Sequence, residues 1–252
     1  MKISVVSYLN TAPLLHGILK AGIMRQHEVE LDVPAVGAAR FMAGEVNLAL
    51  IPVGAGIVHP VNWVGNYCIG AVGEVRTVGL FSNCDIASVK RVKIDPHSRT
   101  SVLLLEVLRL HYFGASWSCV SVDKIDELVK LEPGDAALLI GDKVFEFETN
   151  FAHCYDLSEA WFRMTGLPFV FAAWASDGTV DEGFIREFDH AQERGVRSIE
   201  EVAEEYQKQK RYSRVNVLEY LRRNISYPLD DEKRKGMELF IRYARELTQS
   251  RS

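Results

Sequence analysis

Hydroxyl and guanidinium side chains are concentrated at residues 98–101, which read Ser-Arg-Thr-Ser. A short β-type run at 91–94 precedes them, and the apolar run 102–108 follows. Pro96 favours an extended residue before it, so the pattern predicts a strand, a turn and a buried helix with Ser98 at its N-cap. The free N–H groups of a helix start, two hydroxyls and an arginine suit the binding of a carboxylate. The alternative is an ordinary capped helix with a surface arginine.

Polar or glycine-rich turns follow three further predicted strands, at residues 7–11, 52–56 and 141–142. Ligands of open α/β sheets bind outside the carboxyl ends of the strands, so we expect these turns to line one cleft. Asn10 can donate and accept hydrogen bonds at once, which suits the orientation of a hydroxyl or a carboxylate. Its alternative role is to cap the helix that begins near Pro13.

The predicted elements that must position these turns alternate between strands and helices. They form a βαβαβ unit, a crossing strand over 74–82, a second βαβαβ unit, a returning apolar strand over 169–174, and C-terminal helices. Such alternation predicts parallel sheets flanked by helices. Two units joined by two crossing strands predict an α/β fold of two lobes with a ligand cleft between them. We assign residues 1–82 and 168–252 to lobe 1 and residues 83–167 to an inserted lobe 2.

Composition narrows the classes of partner. The 252-residue chain is 48% hydrophobic and has a net charge of −5, which argues against nucleic acid because that partner requires a basic face. The sequence begins with a strand pattern rather than a signal peptide, and it lacks an 18-residue apolar run. We therefore expect a cytoplasmic protein with no membrane partner.

Metal and dinucleotide sites are not predicted either. The four cysteines and seven histidines are dispersed along the chain. Gly54 and Gly56 follow a predicted strand, but the third glycine of a dinucleotide-binding fingerprint is missing. We therefore expect a protein without a bound metal or organic cofactor. We also expect the backbone of the 54–56 loop to lie close to another group.

Several segments, in order along nearly the whole chain, resemble the motifs of one family. The segments are residues 7–14 (Ser-Tyr-Leu-Asn-Thr-Ala-Pro-Leu), 50–53 (Leu-Ile-Pro-Val), 95–101 (Asp-Pro-x-Ser-Arg-Thr-Ser), 141–142 (Gly-Asp), 156–174 and 225–227 (Ile-Ser-Tyr). The family is that of the chorismate dehydratases of the futalosine pathway of menaquinone biosynthesis. This resemblance implies the two-lobed fold of type II periplasmic binding proteins. It also implies conversion of chorismate to 3-[(1-carboxyvinyl)oxy]benzoate with loss of water. The chain departs from the family at residues 54–56, where larger residues are usual.

The implied substrate is a small dicarboxylate whose ring becomes aromatic on losing water, so two anion-binding regions are expected. We assign Asn10 the catalytic role. The residues expected to contact the substrate are Tyr8, Pro52, Thr77, Ser98, Arg99, Thr100, Ser101 and Asp142. Asp142 also suits a helix cap, and Arg99 either contacts the ligand or braces its loop. If Arg99 points outward, Arg40 or Arg76 could supply the positive charge.

The general base is not identified by any motif. His97 is the one histidine within a motif, and a surface position next to a helix suits it equally well. A substrate carboxylate that takes the proton itself is an alternative that the sequence permits.

Other functions are compatible with the same pattern. One is a non-catalytic binding protein or sensor for a small carboxylate. Another is the sister activity, 1,4-dihydroxy-6-naphthoate synthase, or a further enzyme acting on a related carboxylate; the Ser-Tyr-Leu-Asn segment fits the dehydratases better. The C-terminal helices could supply a homodimer interface.

Overall fold

The computed structural model describes residues 1–58, 60–95 and 98–249, and within these ranges it contains two mixed β-sheets. The strands are β1 (Lys2–Val6), β2 (Glu28–Asp32), β3 (Leu48–Pro52), β4 (Asn62–Ala71), β5 (Val78–Ser82), β6 (Arg91–Ile94), β7 (Ser118–Ser121), β8 (Asp135–Ile140), β9 (His153–Asp156), β10 (Phe169–Ser176) and β11 (Ser226–Pro228). The first sheet has the order β11-β4-β10-β3-β1-β2, and the second has the order β7-β6-β8-β5-β9.

Helices cover these sheets and join their strands. They are α1 (Ala12–Lys20), α2 (Ile23–Gln26), α3 (Pro34–Met42), α4 (Arg99–Leu108), α5 (Ile125–Val129), α6 (Val144–Phe147), α7 (Leu157–Thr165), α8 (Glu182–Arg197), α9 (Ile199–Gln207), α10 (Val217–Glu219) and α11 (Asp231–Gln249). One of the C-terminal helices is irregular, because α10 is one short turn and continues as a π-helical turn over residues 220–224.

Strand direction differs from the fully parallel sheets that alternation predicted. Within each βαβ unit the strands are parallel, as in the β1–β2, β1–β3, β6–β7 and β6–β8 pairs. Strands that enter a sheet from the other lobe run antiparallel to their neighbours. In the first sheet β10 is antiparallel to β3 and β4, and in the second sheet β5 is antiparallel to β8 and β9. Crossing between lobes reverses the chain direction relative to the βαβ strands, so both sheets become mixed.

The first crossing corrects the predicted lobe boundary. We expected one long strand over 74–82 and placed residues up to 82 in lobe 1. Instead β4 ends at Ala71 in the first sheet, and β5 already pairs with β8 and β9 in the second. Residues 72–77 connect the two sheets, and Arg76 lies within this connection with a left-handed φ of 66°.

The carboxylate of Asp156 holds this connection in place. It accepts N–H hydrogen bonds from Val75 and Arg76, and it also caps α7 through the N–H groups of Ser158 and Glu159. Burial raises the pKa of Asp156 to about 6, although these hydrogen bonds act to lower it.

The returning strand β10 lies in the middle of the first sheet, between β3 and β4. This position explains its apolar sequence, because a central strand covered on both faces has no side that requires polar residues. Trp161 and Trp174 are both fully buried, at 0% and 1% exposure, and belong to the main hydrophobic core as their type predicts.

Candidate active site

A pocket lies where the carboxyl ends of β1, β3 and β8 face the beginning of α4. It encloses about 640 Å³ of space not filled by protein atoms, counted out to its open mouth. The described residues that line it are Val6, Tyr8, Asn10, Pro34, Pro52, Ile69, Val75, Thr77, Val78, Ser98, Arg99, Thr100, Ser101, Ile140, Gly141, Phe171 and Ala172. All four predicted turns contribute to this set.

The wall from the second sheet is the first turn of α4, with Ser98, Arg99, Thr100 and Ser101 all in the lining. Ser98 occupies the N-cap position as predicted, but its side chain makes no capping hydrogen bond. Its hydroxyl is buried, and within the described part of the chain it has no hydrogen-bond partner. A buried hydroxyl without a partner costs free energy, so a ligand that bonds to it gains that energy back.

Positive charge reaches the pocket through Arg99, which is exposed and is the one charged side chain in the described lining. The two arginines considered as substitutes are occupied elsewhere. Arg40 pairs with Glu30 and Asp32, and Arg76 forms two hydrogen bonds to Glu148 at 2.6 and 3.2 Å. Neither lines the pocket.

The opposite wall carries Tyr8 and Asn10, from the turn after β1. The ring of Tyr8 packs against the backbone of Gly141, where an added Cβ would lie 2.9 Å from the ring. Gly141 also has a φ of 71°, a left-handed conformation that glycine adopts without strain. Burial raises the pKa of Tyr8 to about 12, with further contributions from the carboxylates of Asp142 and Asp95.

Thr77 has a hydrogen-bond partner that the sequence did not reveal. The Thr77 and Tyr220 hydroxyls are 2.9 Å apart, and both side chains are buried. Asn10 does not cap α1; instead the Thr11 hydroxyl donates to its amide oxygen at 3.2 Å. Tyr220 lies 143 residues from Thr77, and no local pattern indicates that the two meet.

Asp142 is placed differently from the prediction. Its side chain is outside the described pocket lining and does not cap the following helical turn. Its carboxylate accepts the Leu9 N–H at 3.1 Å and the Tyr212 hydroxyl at 2.8 Å. Burial raises the pKa of Asp142, while the hydrogen bonds from Tyr212 and Leu9 lower it. Asp142 therefore ties the second sheet's side of the pocket to the turn that carries Asn10.

A second contact between the two sides involves the glycine-rich loop. The Gly54 N–H donates to the Thr100 hydroxyl at 3.1 Å, and a Cβ at position 54 would lie 2.5 Å from that oxygen. Gly54 and Gly56 are outside the described lining, whereas Pro52 at the end of β3 is part of it. Larger residues are usual here in the family that the sequence resembles, and in this chain the missing side chain lets the loop touch α4.

The remainder of the wall is apolar, formed by side chains such as Val6, Ile69 and Phe171. No carboxylate or imidazole is present in the lining that the structure describes, and His97 lies outside the described residues. The described part of the chain contains no group of three or more His, Cys, Asp or Glu side chains placed to hold a metal ion. Likewise, no described helix is long and apolar enough to cross a membrane.

This arrangement suits a planar or nearly planar anion of small size. The α4 start and Arg99 can hold a carboxylate, while Asn10 and Thr77 can orient a hydroxyl from the other side. The apolar wall accepts a hydrocarbon ring between them.

Comparison with solved structures identifies the fold. The protein AF1704 from Archaeoglobus fulgidus superposes with a TM-score of 0.75 at 15% sequence identity, covering 98% of this chain and 97% of that one. The CA3427 gene product of Candida albicans, described as having the generic periplasmic binding protein fold, gives a TM-score of 0.66 at 14% identity, with coverages of 97% and 89%. The chain thus has the two-lobed periplasmic-binding-protein-like fold expected from its sequence.

Sequence comparison is more specific. Chorismate dehydratase from Thermus thermophilus is 29% identical over 254 residues, which is 92% of this chain and 91% of the relative. A family model described as menaquinone biosynthesis matches residues 1–246. This chain therefore belongs to the menaquinone (vitamin K2) biosynthesis family.

Proposed function

We propose that this protein is a chorismate dehydratase, a hydro-lyase that converts chorismate to 3-[(1-carboxyvinyl)oxy]benzoate and water. We place the reaction at the first committed step of futalosine-dependent menaquinone biosynthesis. Membership of the menaquinone biosynthesis family and similarity to the Thermus thermophilus chorismate dehydratase support this proposal. A cytoplasmic location, a homodimer and the absence of a cofactor remain sequence-based predictions.

The observation that carries the proposal is the distribution of polarity in the pocket. The α4 start, with its unpartnered Ser98 hydroxyl and with Arg99, lines the same pocket as Asn10, Thr77 and apolar side chains. Chorismate has two carboxylates, one ring hydroxyl and a hydrocarbon ring, so each part has a suitable counterpart. A pocket lined by carboxylates would repel this dianion, and the described lining contains none.

The reaction removes a proton from the ring carbon that bears the enol ether and the hydroxyl from the neighbouring carbon. The electron pair of the C–H bond becomes a ring double bond, and the departing hydroxyl takes up a proton to leave as water. The product ring is aromatic, so the driving force lies in the substrate. The protein's task is to hold both carboxylates and to fix the geometry of the C–H and C–O bonds.

In this proposal a carboxylate of the substrate takes the proton. The described lining offers neither a carboxylate nor an imidazole as a base, which favours substrate assistance. Asn10 orients the leaving hydroxyl through its amide, and the α4 start binds a carboxylate through backbone N–H groups and hydroxyls.

The test is incubation of the purified protein with chorismate, followed by mass spectrometry and ultraviolet absorbance. We expect a product one water lighter than chorismate, with the absorbance of an aromatic ring. Binding without turnover would favour the alternative of a carboxylate-binding protein or sensor. Absence of both would point to another substrate, including that of the sister synthase.

A further inference from the structure

Tyr220 is fully buried and begins the π-helical turn of residues 220–224. Turns of this kind are rare, and they often occur at functional sites because they redirect a side chain that a regular helix would place elsewhere. Tyr220 does not line the pocket, yet its hydroxyl hydrogen-bonds to the hydroxyl of Thr77, which does.

The ring of Tyr220 is fixed as firmly as its hydroxyl. It meets the ring of Phe145 edge to face, with 5.0 Å between centroids. Phe145 belongs to α6, which directly follows the β8 turn of the second sheet. Tyr220 therefore contacts the second sheet's side through Phe145 and the connection between the two sheets through Thr77.

The hydrogen bond between Tyr220 and Thr77 can run in either direction, because each hydroxyl can donate or accept. Burial keeps the pKa of Tyr220 well above its ordinary value, so the phenol retains its own proton. When the phenol donates to the Thr77 oxygen, the Thr77 hydroxyl proton is left for a group in the pocket.

We propose that Tyr220 is a positioning residue of the active site, which fixes the orientation of the Thr77 hydroxyl toward the substrate. This inference rests on the proposed chorismate dehydratase activity. Without the phenol oxygen, the Thr77 hydroxyl loses the partner that directs its proton into the pocket.

The decisive variant is Tyr220→Phe, which removes one oxygen and keeps the ring. Tyr227→Phe is a matched control, since Tyr227 is 2% exposed and its hydroxyl has no hydrogen-bond partner within the described residues. With chorismate as substrate, we expect Tyr220→Phe to lower kcat about tenfold or more, with KM changed less than about threefold. We expect Tyr227→Phe to leave both parameters within about twofold of the wild type. An unchanged kcat in Tyr220→Phe, or a rise in KM alone, would overturn the proposal.

Failure of the proposed activity would be recognised separately, because the wild-type protein is assayed with chorismate first. If it forms no product, the link between Tyr220 and Thr77 is measured by urea unfolding of Tyr220→Phe, Thr77→Ala and the double variant. The proposal requires the two losses of stability to be non-additive. Additive losses would show that the phenol does not hold the Thr77 hydroxyl, and the positioning role would be rejected.

Discussion

A buried hydroxyl without a partner, such as that of Ser98, is unfavourable in the unliganded protein and becomes useful when a ligand arrives. Asn10 and Thr77 are in the opposite situation, because their side chains are already held by Thr11 and Tyr220. The polar residues of this pocket therefore include side chains that are already oriented and one hydroxyl that still lacks a partner.

Replacing Ser98 by alanine should separate binding from stability. Ser98→Ala removes a hydroxyl that makes no capping bond, so the free energy of unfolding should stay equal or rise by up to about 1 kcal/mol. KM for chorismate should rise about tenfold, because the loss of one hydrogen bond to a charged group weakens binding by about that factor. Steady-state kinetics and urea unfolding measure the two effects.

Ser158→Ala is the matched control for this variant. The Ser158 hydroxyl is also buried and without a partner in the described chain, but it does not line the pocket. Ser158→Ala should change the free energy of unfolding as Ser98→Ala does, and it should leave KM for chorismate unchanged. An unchanged KM in Ser98→Ala would mean that this hydroxyl does not meet the substrate.

Asn10→Ala should lower turnover much more than it weakens binding, because the amide is proposed to act on the leaving hydroxyl rather than on the carboxylates. We expect kcat to fall about 100-fold and KM to change by less than about fivefold. Asn10→Asp, which keeps the shape but replaces the N–H donors with an oxygen, should be similarly impaired. Full activity in Asn10→Ala would remove Asn10 from the mechanism.

At the scale of elements, the pocket depends on how closely the loop after β3 approaches the first turn of α4. The approach is possible because position 54 has no side chain, and the Gly54 N–H then reaches the Thr100 hydroxyl. The same loop is anchored from behind by Arg245 of α11, which donates to the Gly56 and Ile57 carbonyls at 2.9 and 3.2 Å. The loop can therefore not move back without breaking these bonds.

Gly54→Ala should push α4 away from the loop, since the new Cβ would meet the Thr100 oxygen at 2.5 Å. We expect KM for chorismate to rise severalfold, because the α4 start no longer faces Asn10 at the right distance. Thr100→Ser is the control, as it keeps the hydroxyl that accepts the Gly54 N–H. Kinetic constants for Gly54→Ala that match those of the wild type would show that the contact has no influence on the site.

At the scale of the whole molecule, the two lobes meet at contacts beside the pocket and in a shared apolar core. Tyr8 packs on Gly141, Asp142 accepts hydrogen bonds from Leu9 and Tyr212, and Gly54 contacts Thr100. Asp156 holds the first chain crossing to the start of α7. Away from the pocket, Trp161 of α7 meets Phe169 and Phe240 edge to face within the main hydrophobic core.

Asp142→Asn should weaken the contact between the lobes beside the pocket. An asparagine amide would place N–H donors against the Leu9 N–H or the Tyr212 hydroxyl, so we expect a loss of about 1–2 kcal/mol in the free energy of unfolding and a higher KM for chorismate. Tyr212→Phe removes one donor and keeps the Leu9 bond, so its effects should be smaller. If Asp142→Asn retained wild-type stability and KM, the Asp142 hydrogen bonds would not stabilise the contact between the lobes.

The sequence alone determined the features that depend on neighbouring residues. Hydrophobic periodicity and turn residues located the strand ends, and the polar turns at Asn10 and at residues 98–101 do line one pocket. Pro96 and the apolar run after residue 101 predicted the start of α4 because both act over a few positions of chain. The two lobes followed from the order of elements, since alternating strands and helices admit few arrangements.

Only the tertiary structure decided which side chains meet across long stretches of chain. Tyr220 reaches Thr77, and Tyr212 reaches Asp142, from a C-terminal region whose own pattern indicates only helices. The end of β4 at Ala71 and the antiparallel course of β5 and β10 also depended on how the lobes pack. Contacts between distant residues are selected by the packing of whole elements, a constraint that local periodicity does not contain. For this reason the sequence located the polar walls of the pocket, and the fold supplied the buried phenols that hold them in position.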